Sequence, residues 1–353
     1  MKESIKKKIE DIKIDGSESI LSALKKMDQT YRRLLLVFEG GIFINVLSIG
    51  DIQRAIIRNQ SLETPVREIL RQETRIAHTG QSYYEIKNLM LKYRAECMPV
   101  VNDSQQLQDV YFWEDVFTEQ EKPVKTELNL PVVIMAGGRG TRMKPLTNVI
   151  PKPLIPLGEK TIIEEIMDRF LPYECTNFFL SVNYKADTIK HYFKQIEHPY
   201  NISYFQEDKP LGTAGSLHLL KNEINTPFFV TNCDIIIEED YAEIYNYHKE
   251  NHNELTVVAA LKHYPIPYGT IETGDNGLLK KLSEKPELTF KINSGMYILE
   301  PNLLKEIPED KFFHITQLIE NIIKRHGKVG VFPVSKGSWK DIGNWNEYLQ
   351  KIK

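Results

Sequence analysis

Cysteine is scarce in this chain of 353 residues: Cys97, Cys175 and Cys233 are the only three. Three cannot all pair, and no CxxC spacing points to zinc. The nine histidines show no HxxH or HExxH spacing, which removes the other common zinc patterns. A reducing compartment fits this usage. Long apolar runs are also missing, since no stretch approaches the ~18 residues of a membrane span. Neither sign of charge is in excess: 45 Lys and Arg stand against 48 Asp and Glu, a net charge of −3. Residues 1–120 carry 17 basic and 18 acidic side chains, so no half of the chain is a basic or acidic block. A nucleic-acid partner recruited by a basic surface is therefore not expected, and neither is an acidic tail. The opening Met1-Lys-Glu-Ser-Ile-Lys-Lys-Lys-Ile has no apolar segment of the signal-peptide kind. The expectation is a cytoplasmic protein with neither nucleic acid nor membrane as partner.

What is present is ordinary globular material, 41% hydrophobic, 26% charged and 10% aromatic. At roughly 150 residues per domain, the length allows about two to three domains. The first natural break is polar: Thr118-Glu-Gln-Glu-Lys-Pro-Val-Lys-Thr-Glu-Leu-Asn-Leu130 lies between apolar segments and contains Pro123. The expected organisation is a repeat at 1–60, a second repeat at 61–118, a linker at 119–130 and a larger domain at 131–353.

The two repeats are read from pattern. Ser19 to Met27 has apolar residues at helical spacing, followed by strand-like Arg33–Phe38, a Glu39-Gly-Gly turn and strand-like Ile42–Leu47. Ser48-Ile-Gly-Asp51 then opens a helix. Tyr83–Tyr93, Cys97–Val101, the Asn102–Gln106 turn, Leu107–Phe112 and Trp113-Glu-Asp115 repeat this order after roughly 60 residues. The pattern resembles a tandem pair of CBS domains. That resemblance implies that Ser48, Asp51 and Asp115 hold the ribose of an adenine nucleotide, with Trp113 in place of the usual Ser or Thr. Read without the resemblance, both aspartates are helix N-terminal caps that need no ligand.

Beyond the break, strand-like and helix-like segments alternate. Strands are expected at Pro131–Ala136, Phe178–Val182, Ile202–Phe205 and Phe228–Asn232. Helices are expected at Thr161–Phe170, Asp187–Gln195, Ser216–Asn222 and Tyr241–Glu250. This is the texture of a doubly wound α/β sheet, whose ligands sit beyond the carboxyl ends of strands. The loop after the first of these strands is Ala136-Gly-Gly-Arg-Gly-Thr-Arg142. Its Gly137, Gly138 and Gly140 let the backbone approach a ligand and turn N–H groups toward phosphate. It is neither a Walker A loop nor a dinucleotide fingerprint, because Met143 stands where a third glycine is needed. Pro151-Lys-Pro153 follows, and a lysine between two prolines is held with little loss of chain entropy. Arg142 and Lys152 together suit a triphosphate.

These residues carry a second resemblance. Ala136-Gly-Gly-x-Gly-Thr-Arg-x-x-Pro-Leu-Thr followed by Pro-Lys-Pro-Leu resembles the signature of sugar-1-phosphate nucleotidyltransferases, and the likeness runs over residues 131–345. The implied fold is a Rossmann-like doubly wound nucleotidyltransferase domain preceded by the CBS pair. The family's roles then fall on particular residues. Ala136, Gly137, Gly138, Gly140 and Thr141 would bind the nucleotide, with Gly212 and Thr213 of Lys209-Pro-Leu-Gly-Thr-Ala-Gly recognising the base. Asp234 after Thr231-Asn-Cys and Asp341 of Trp339-Lys-Asp-Ile-Gly would hold Mg²⁺. Lys285 of Ser283-Glu-Lys-Pro would hold the sugar phosphate, and Glu284, Gly269 and Asn293 the sugar. Arg142, Lys152, Asp234, Lys285 and Asp341 form the implied catalytic set.

The implied reaction is attack of a sugar-1-phosphate oxygen on the α-phosphorus of an NTP, with loss of pyrophosphate. The Leu-Gly-Thr-Ala-Gly loop resembles the guanylyltransferase version, so GTP is the expected donor. A CBS pair joined to a guanylyltransferase resembles enzymes of legionaminic acid biosynthesis acting on glucosamine 1-phosphate. Mannose 1-phosphate and heptose 1-phosphate stay open as acceptors, and so does a non-catalytic nucleotide-sensing subunit. A homo-oligomer is expected.

Overall fold

The computed structural model describes residues 3–73, 75–93, 95–117, 126–207, 209–343, 345 and 348–349. Residues 119–125 of the expected linker lie outside them. The chain folds as two compact units, Met1–Val124 and Lys125–Lys353. Among the described residues no helix is long and apolar enough to cross a membrane.

The first unit contains α1 (Glu3–Ile12), β1 (Lys13–Asp15), α2 (Ile20–Thr30), β2 (Leu34–Glu39), β3 (Ile42–Ser48) and α3 (Ile49–Ile57). It continues with β4 (Ala77–His78), α4 (Tyr83–Tyr93), β5 (Cys97–Val101), β6 (Leu107–Phe112) and α5 (Trp113–Val116). Its two sheets have one topology. β1 runs parallel to β2 and β2 antiparallel to β3; β4 runs parallel to β5 and β5 antiparallel to β6. Each sheet has its crossover helix, α2 or α4, between the parallel strands, so the repeat is structural as well as sequential. The leading strands β1 and β4 were too short to read from pattern. The run Leu34–Val37 is fully buried, as a central strand requires.

The second unit begins with β7 (Val132–Met135), the short hairpin β8 (Pro156–Leu157) and β9 (Lys160–Thr161), α6 (Ile162–Asp168), β10 (Asn177–Val182), α7 (Ala186–Gln195) and β11 (Asn201–Gln206). Then come β12 (Phe228–Asn232), β13 (Ile235–Ile237), α8 (Tyr241–Glu250), β14 (Leu255–Pro265), β15 (Thr270–Thr273), β16 (Leu279–Ser283), β17 (Glu287–Leu299), α9 (Ile315–Lys324), β18 (Val329–Val334) and β19 (Trp339–Asp341). Seven strands form the central sheet in the order β11-β10-β7-β12-β17-β14-β18. All pairs are parallel except those that β17 makes with β12 and β14.

The helix expected at Ser216–Asn222 is instead a 3-10 helix, Gly215–Leu220. Its first amides are taken by another segment: Ala214 and Gly215 N–H both donate to the Phe313 carbonyl. Tyr241 of α8 packs on Phe170 and Phe229, with ring centroids 4.6 and 5.8 Å away. This fully buried aromatic cluster pins α8 and the turn after α6 to β12.

Strand order positions the site. From β7 the chain winds outward through β10 and β11, then returns to β12 on the other side of β7. The carboxyl ends of β7 and β12 therefore flank the switch in winding direction, where open α/β sheets bind ligands. Met135 pairs with Asn232, so Ala136 and Cys233 leave the sheet side by side.

Candidate active site

The loop after β7 is shaped by contacts that glycine alone permits. A Cβ on Gly137 would sit 2.9 Å from the Glu207 carboxylate. Gly140 has φ 61°, and a Cβ there would meet Thr147 at 2.8 Å and Lys152 Cβ at 3.1 Å. The Thr147 hydroxyl donates to the Gly140 carbonyl at 2.9 Å, and Met143 N–H donates to the same oxygen at 2.9 Å. The loop is thus folded back onto Pro151-Lys-Pro153. Gly138 has open space around it, which leaves its backbone accessible. Ala136 is buried, and Thr141 lies exposed at the start of the next turn.

The charged centre lies beside this loop. Asp234 follows β12, and its carboxylate accepts the Lys152 ammonium and lies 3.6 Å from Arg142 Nη2. Lys152 is buried, while Arg142 remains largely exposed. Both cations expected beside the glycines are therefore turned toward Asp234. The second aspartate arrives through a separate ladder: β13 pairs antiparallel with β19, with Ile235 opposite Asp341. Ile342 N–H donates to the Asp234 carbonyl at 2.8 Å. Gly343 N–H donates to Asp341 Oδ1 at 2.7 Å.

Gly343 measures how closely these groups converge. A Cβ there would stand 2.5 Å from Asp341 Oδ1, 2.8 Å from Asp234 Oδ2 and 3.0 Å from Arg142 Nη2. The two carboxylate oxygens thus lie no farther apart than the sum of the first two distances. Among the described residues no group of three or more His, Cys, Asp or Glu side chains could hold a metal. Two converging carboxylates nevertheless suit Mg²⁺, a hard cation that protein sites commonly bind through only one or two carboxylates. Cys233, between these elements, is buried, and burial pushes its thiol up to about 12. It packs rather than reacts.

A second loop approaches the glycines from the other side. Glu207, buried just after β11, accepts Leu211 N–H at 2.6 Å and the Ser181 hydroxyl at 3.3 Å. Gly212 (φ 85°) and Gly215 press on the chain at 311–313: a Cβ on either would stand 2.7 Å from a carbonyl, of Phe313 and Lys311 respectively. Phe313 N–H donates to Leu211 O at 2.9 Å. Thr213 Oγ1 accepts Ile315 N–H at 3.0 Å and lies 3.3 Å from His314 Nδ1. The hydroxyl of Thr213 is thus engaged in bracing its own loop. Sequence reading missed Glu207 and the brace at 311–315. A carboxylate closing a strand was the one signal for Glu207. The brace comes from about a hundred residues away and left none.

The remaining residues fall in two places. Glu284 closes on Gly269, where a Cβ would stand 3.0 Å from Glu284 Oε2. Lys285 is exposed, with φ 45°. Asn293 instead lies on β17 and accepts Gly295 N–H at 3.1 Å. The neighbouring Ser294 carbonyl receives Trp339 Nε1–H at 3.2 Å, which ties this stretch to the strand that carries Asp341.

In the first unit, Ser48 and Asp51 form a capping box at the start of α3. Asp51 also holds Arg54, and it accepts Arg71 Nε–H at 2.8 Å, while Arg71 Nη2 donates to Ser48 Oγ at 2.6 Å. Burial would raise the Asp51 carboxyl, but the bonds from Arg71 and Ser48 outweigh it and hold it below the usual range. Asp115 makes no cap bond; it accepts the Lys8 ammonium at 2.8 Å. The two aspartates therefore stand in different settings: Ser48 is the N-cap of α3 and Asp51, at N3, completes its capping box, whereas Asp115 pairs with Lys8.

A family model described as nucleotidyl transferase matches residues 131–353, and one described as CBS domain matches residues 7–58. The mannose-1-phosphate guanyltransferase of Emericella nidulans is 34% identical over 229 residues, 62% of each chain. That of Saccharomyces cerevisiae is 33% identical over 226 residues, again 62% of each. The chain thus spans less than two thirds of the length of these relatives. Among solved structures, HddC from Yersinia pseudotuberculosis aligns with a TM-score of 0.50 at 28% identity, over 63% of this chain and 97% of that one. The same protein complexed with GMP-PN aligns with a TM-score of 0.50 at 27% identity, over the same shares.

Proposed function

The chain belongs to the nucleotidyl transferase family, whose model spans more than half of its residues, and from that premise we propose that it transfers GMP from GTP to a sugar 1-phosphate. The carrying observation is the convergence of Asp234, Asp341, Arg142 and Lys152 beside the glycine loop at the switch point of the sheet. In this reading an oxygen of the sugar phosphate bonds to the α-phosphorus as the bond from that phosphorus to the bridging oxygen breaks, and pyrophosphate leaves. The nucleophile is already an anion, so no general base is needed. Catalysis rests on alignment and charge neutralisation.

Each residue has a task. Backbone N–H groups from Gly137 to Thr141 face the triphosphate, while the Ala136 N–H is taken by the Ser181 carbonyl at 2.9 Å and only leads the chain into the loop. The braced loop at Gly212 and Thr213 faces the base. Arg142 and Lys152 balance phosphate charge. Asp234 and Asp341 would hold Mg²⁺, which supplies further neutralisation of phosphate charge when bound. Lys285 holds the sugar phosphate, with Glu284, Gly269 and Asn293 toward the sugar.

Guanine as the base is supported by the names of the relatives and by the GMP-PN complex of HddC. Glucosamine 1-phosphate is the proposed acceptor, on the joining of a CBS module to this kind of domain. Mannose 1-phosphate is the second reading, favoured by the names of the relatives. The first unit is proposed as an adenine-nucleotide site at Ser48, Asp51 and Asp115, and the setting as cytoplasmic. The test is to incubate the protein with each NTP, a panel of hexose 1-phosphates and Mg²⁺, and to read product masses. A GDP-glucosamine mass is expected. GDP-mannose alone would move the acceptor to the second reading, and no pyrophosphate from any pair would overturn catalysis.

A further inference from the structure

The second unit carries an apolar arm that nothing in the described chain covers. The outer ends of β14 and β17 run past the central sheet, and β15 and β16 form a separate two-stranded sheet beyond them. Along this arm Tyr264, Tyr268, Ile271, Leu279, Leu282 and Phe290 are each between 45% and 75% exposed. Register shows the order within the hairpin. Ile271 pairs with Leu282 and Thr273 with Leu279, and the irregularity between Glu272 and Thr273 keeps both leucines on one face. Glu272 pairs with Lys281, so these two share the other face, 3.9 Å apart. Such alternation normally marks a half-buried sheet. A lone two-stranded hairpin is marginal in water without something on its apolar face.

We propose that this arm is covered by a second copy of the chain, arm against arm about a twofold axis. Two observations select that occupant. The first is charge: residues 262–291 hold five lysines and four carboxylates. A twofold interface sets a patch against itself, which a one-signed patch would resist and this mixed one does not. A polyanion or an anionic membrane would call for an excess of cations that the arm lacks. The second is area. Six side chains of roughly 200 Å² each, a little over half exposed, offer on the order of 700 Å². A standard interface takes about 800 Å² from each partner. The arm also carries Gly269, Glu284 and Lys285, so its covering bears directly on the proposed sugar end of the site.

The test is sedimentation velocity of the full chain over a range of concentrations, with Leu282→Glu and Lys281→Glu. The wild type should sediment as a dimer, Leu282→Glu should raise the dimer Kd about tenfold or more, and Lys281→Glu, on the other face, should leave it within a few-fold. A wild type that stays monomeric overturns the proposal. So does a Leu282→Glu variant that dimerises as well as the wild type. Hydrogen exchange on the wild type alone gives an independent reading: amides of residues 270–283 should gain protection as concentration rises. Protection that ignores concentration means that this chain or nothing covers the arm, and overturns it equally.

Discussion

Lys152 and Asp234 form an ion pair in which both side chains are about nine-tenths buried. Neither charge is stable there alone, because a buried charge without its partner keeps the desolvation cost and loses the attraction. Lys152→Met is expected to destabilise the second unit by about 3 kcal/mol, and Asp234→Asn by less, since the amide still accepts a hydrogen bond. The double variant should recover much of the loss without recovering activity. Urea unfolding of the four proteins measures the coupling. Additive losses would mean that the pair is not the unit of stability.

Asp234→Asn carries a separate consequence for chemistry. It removes one of the two carboxylates proposed for Mg²⁺, so pyrophosphate release should fall to background at any Mg²⁺ concentration. Undiminished release in that variant would sink the metal assignment.

Gly343 is held against Asp341, Asp234 and Arg142 at once. An alanine methyl there has to displace at least one carboxylate. Misplacing catalytic groups by about 1 Å can cost about 10²-fold in rate. Gly343→Ala is therefore expected to lower kcat for pyrophosphate release by about that factor, while the melting temperature moves little. A variant with normal kcat would show that the carboxylates adjust freely.

How far the sequence went is visible in these residues. Asp234 could be named because it follows an apolar strand where the resembled family has a metal-binding Asp, and Asp341 because Trp339-Lys-Asp-Ile-Gly343 resembles a second element of that family. Their meeting was implied by the resemblance alone; the pairing of β13 with β19 that brings it about, across about a hundred residues, left no signal in the sequence. The glycines at 137 and 140 read as backbone flexibility. Only packing revealed that they admit Glu207, Thr147 and Lys152. Gly343 lay inside a motif already quoted, yet its contacts come from three separate segments. Four strands of the central sheet, β7, β10, β11 and β12, were legible from their apolar runs. β14, β17 and β18 were not read from pattern; in β17 the outer half belongs to the exposed arm and dilutes it.

In the first unit, Arg71 lies across both Ser48 and Asp51, so a ribose reaching them must displace a guanidinium. If this is an adenine-nucleotide site, AMP or ATP should raise the melting temperature of the full chain, and Asp51→Ala should remove the shift. Differential scanning fluorimetry reads both. An unchanged midpoint with either nucleotide on the wild type would leave the module structural.

Glu207 gives the pH prediction. Burial raises its carboxyl above the ordinary range, and the bonds from Leu211 and Ser181 offset only part of this. The folded state then binds a proton more tightly than the unfolded one. Its contribution is therefore fully present below the unfolded value and is lost as pH rises from there through the raised folded value. Glu207→Gln removes the titration while keeping an oxygen for Leu211 N–H. The difference in unfolding free energy, variant minus wild type, should grow more positive as pH rises through that window and level off above it. A flat difference across the acid range would show that the Glu207 carboxyl titrates alike in both states, and that the loop carries no buried charge.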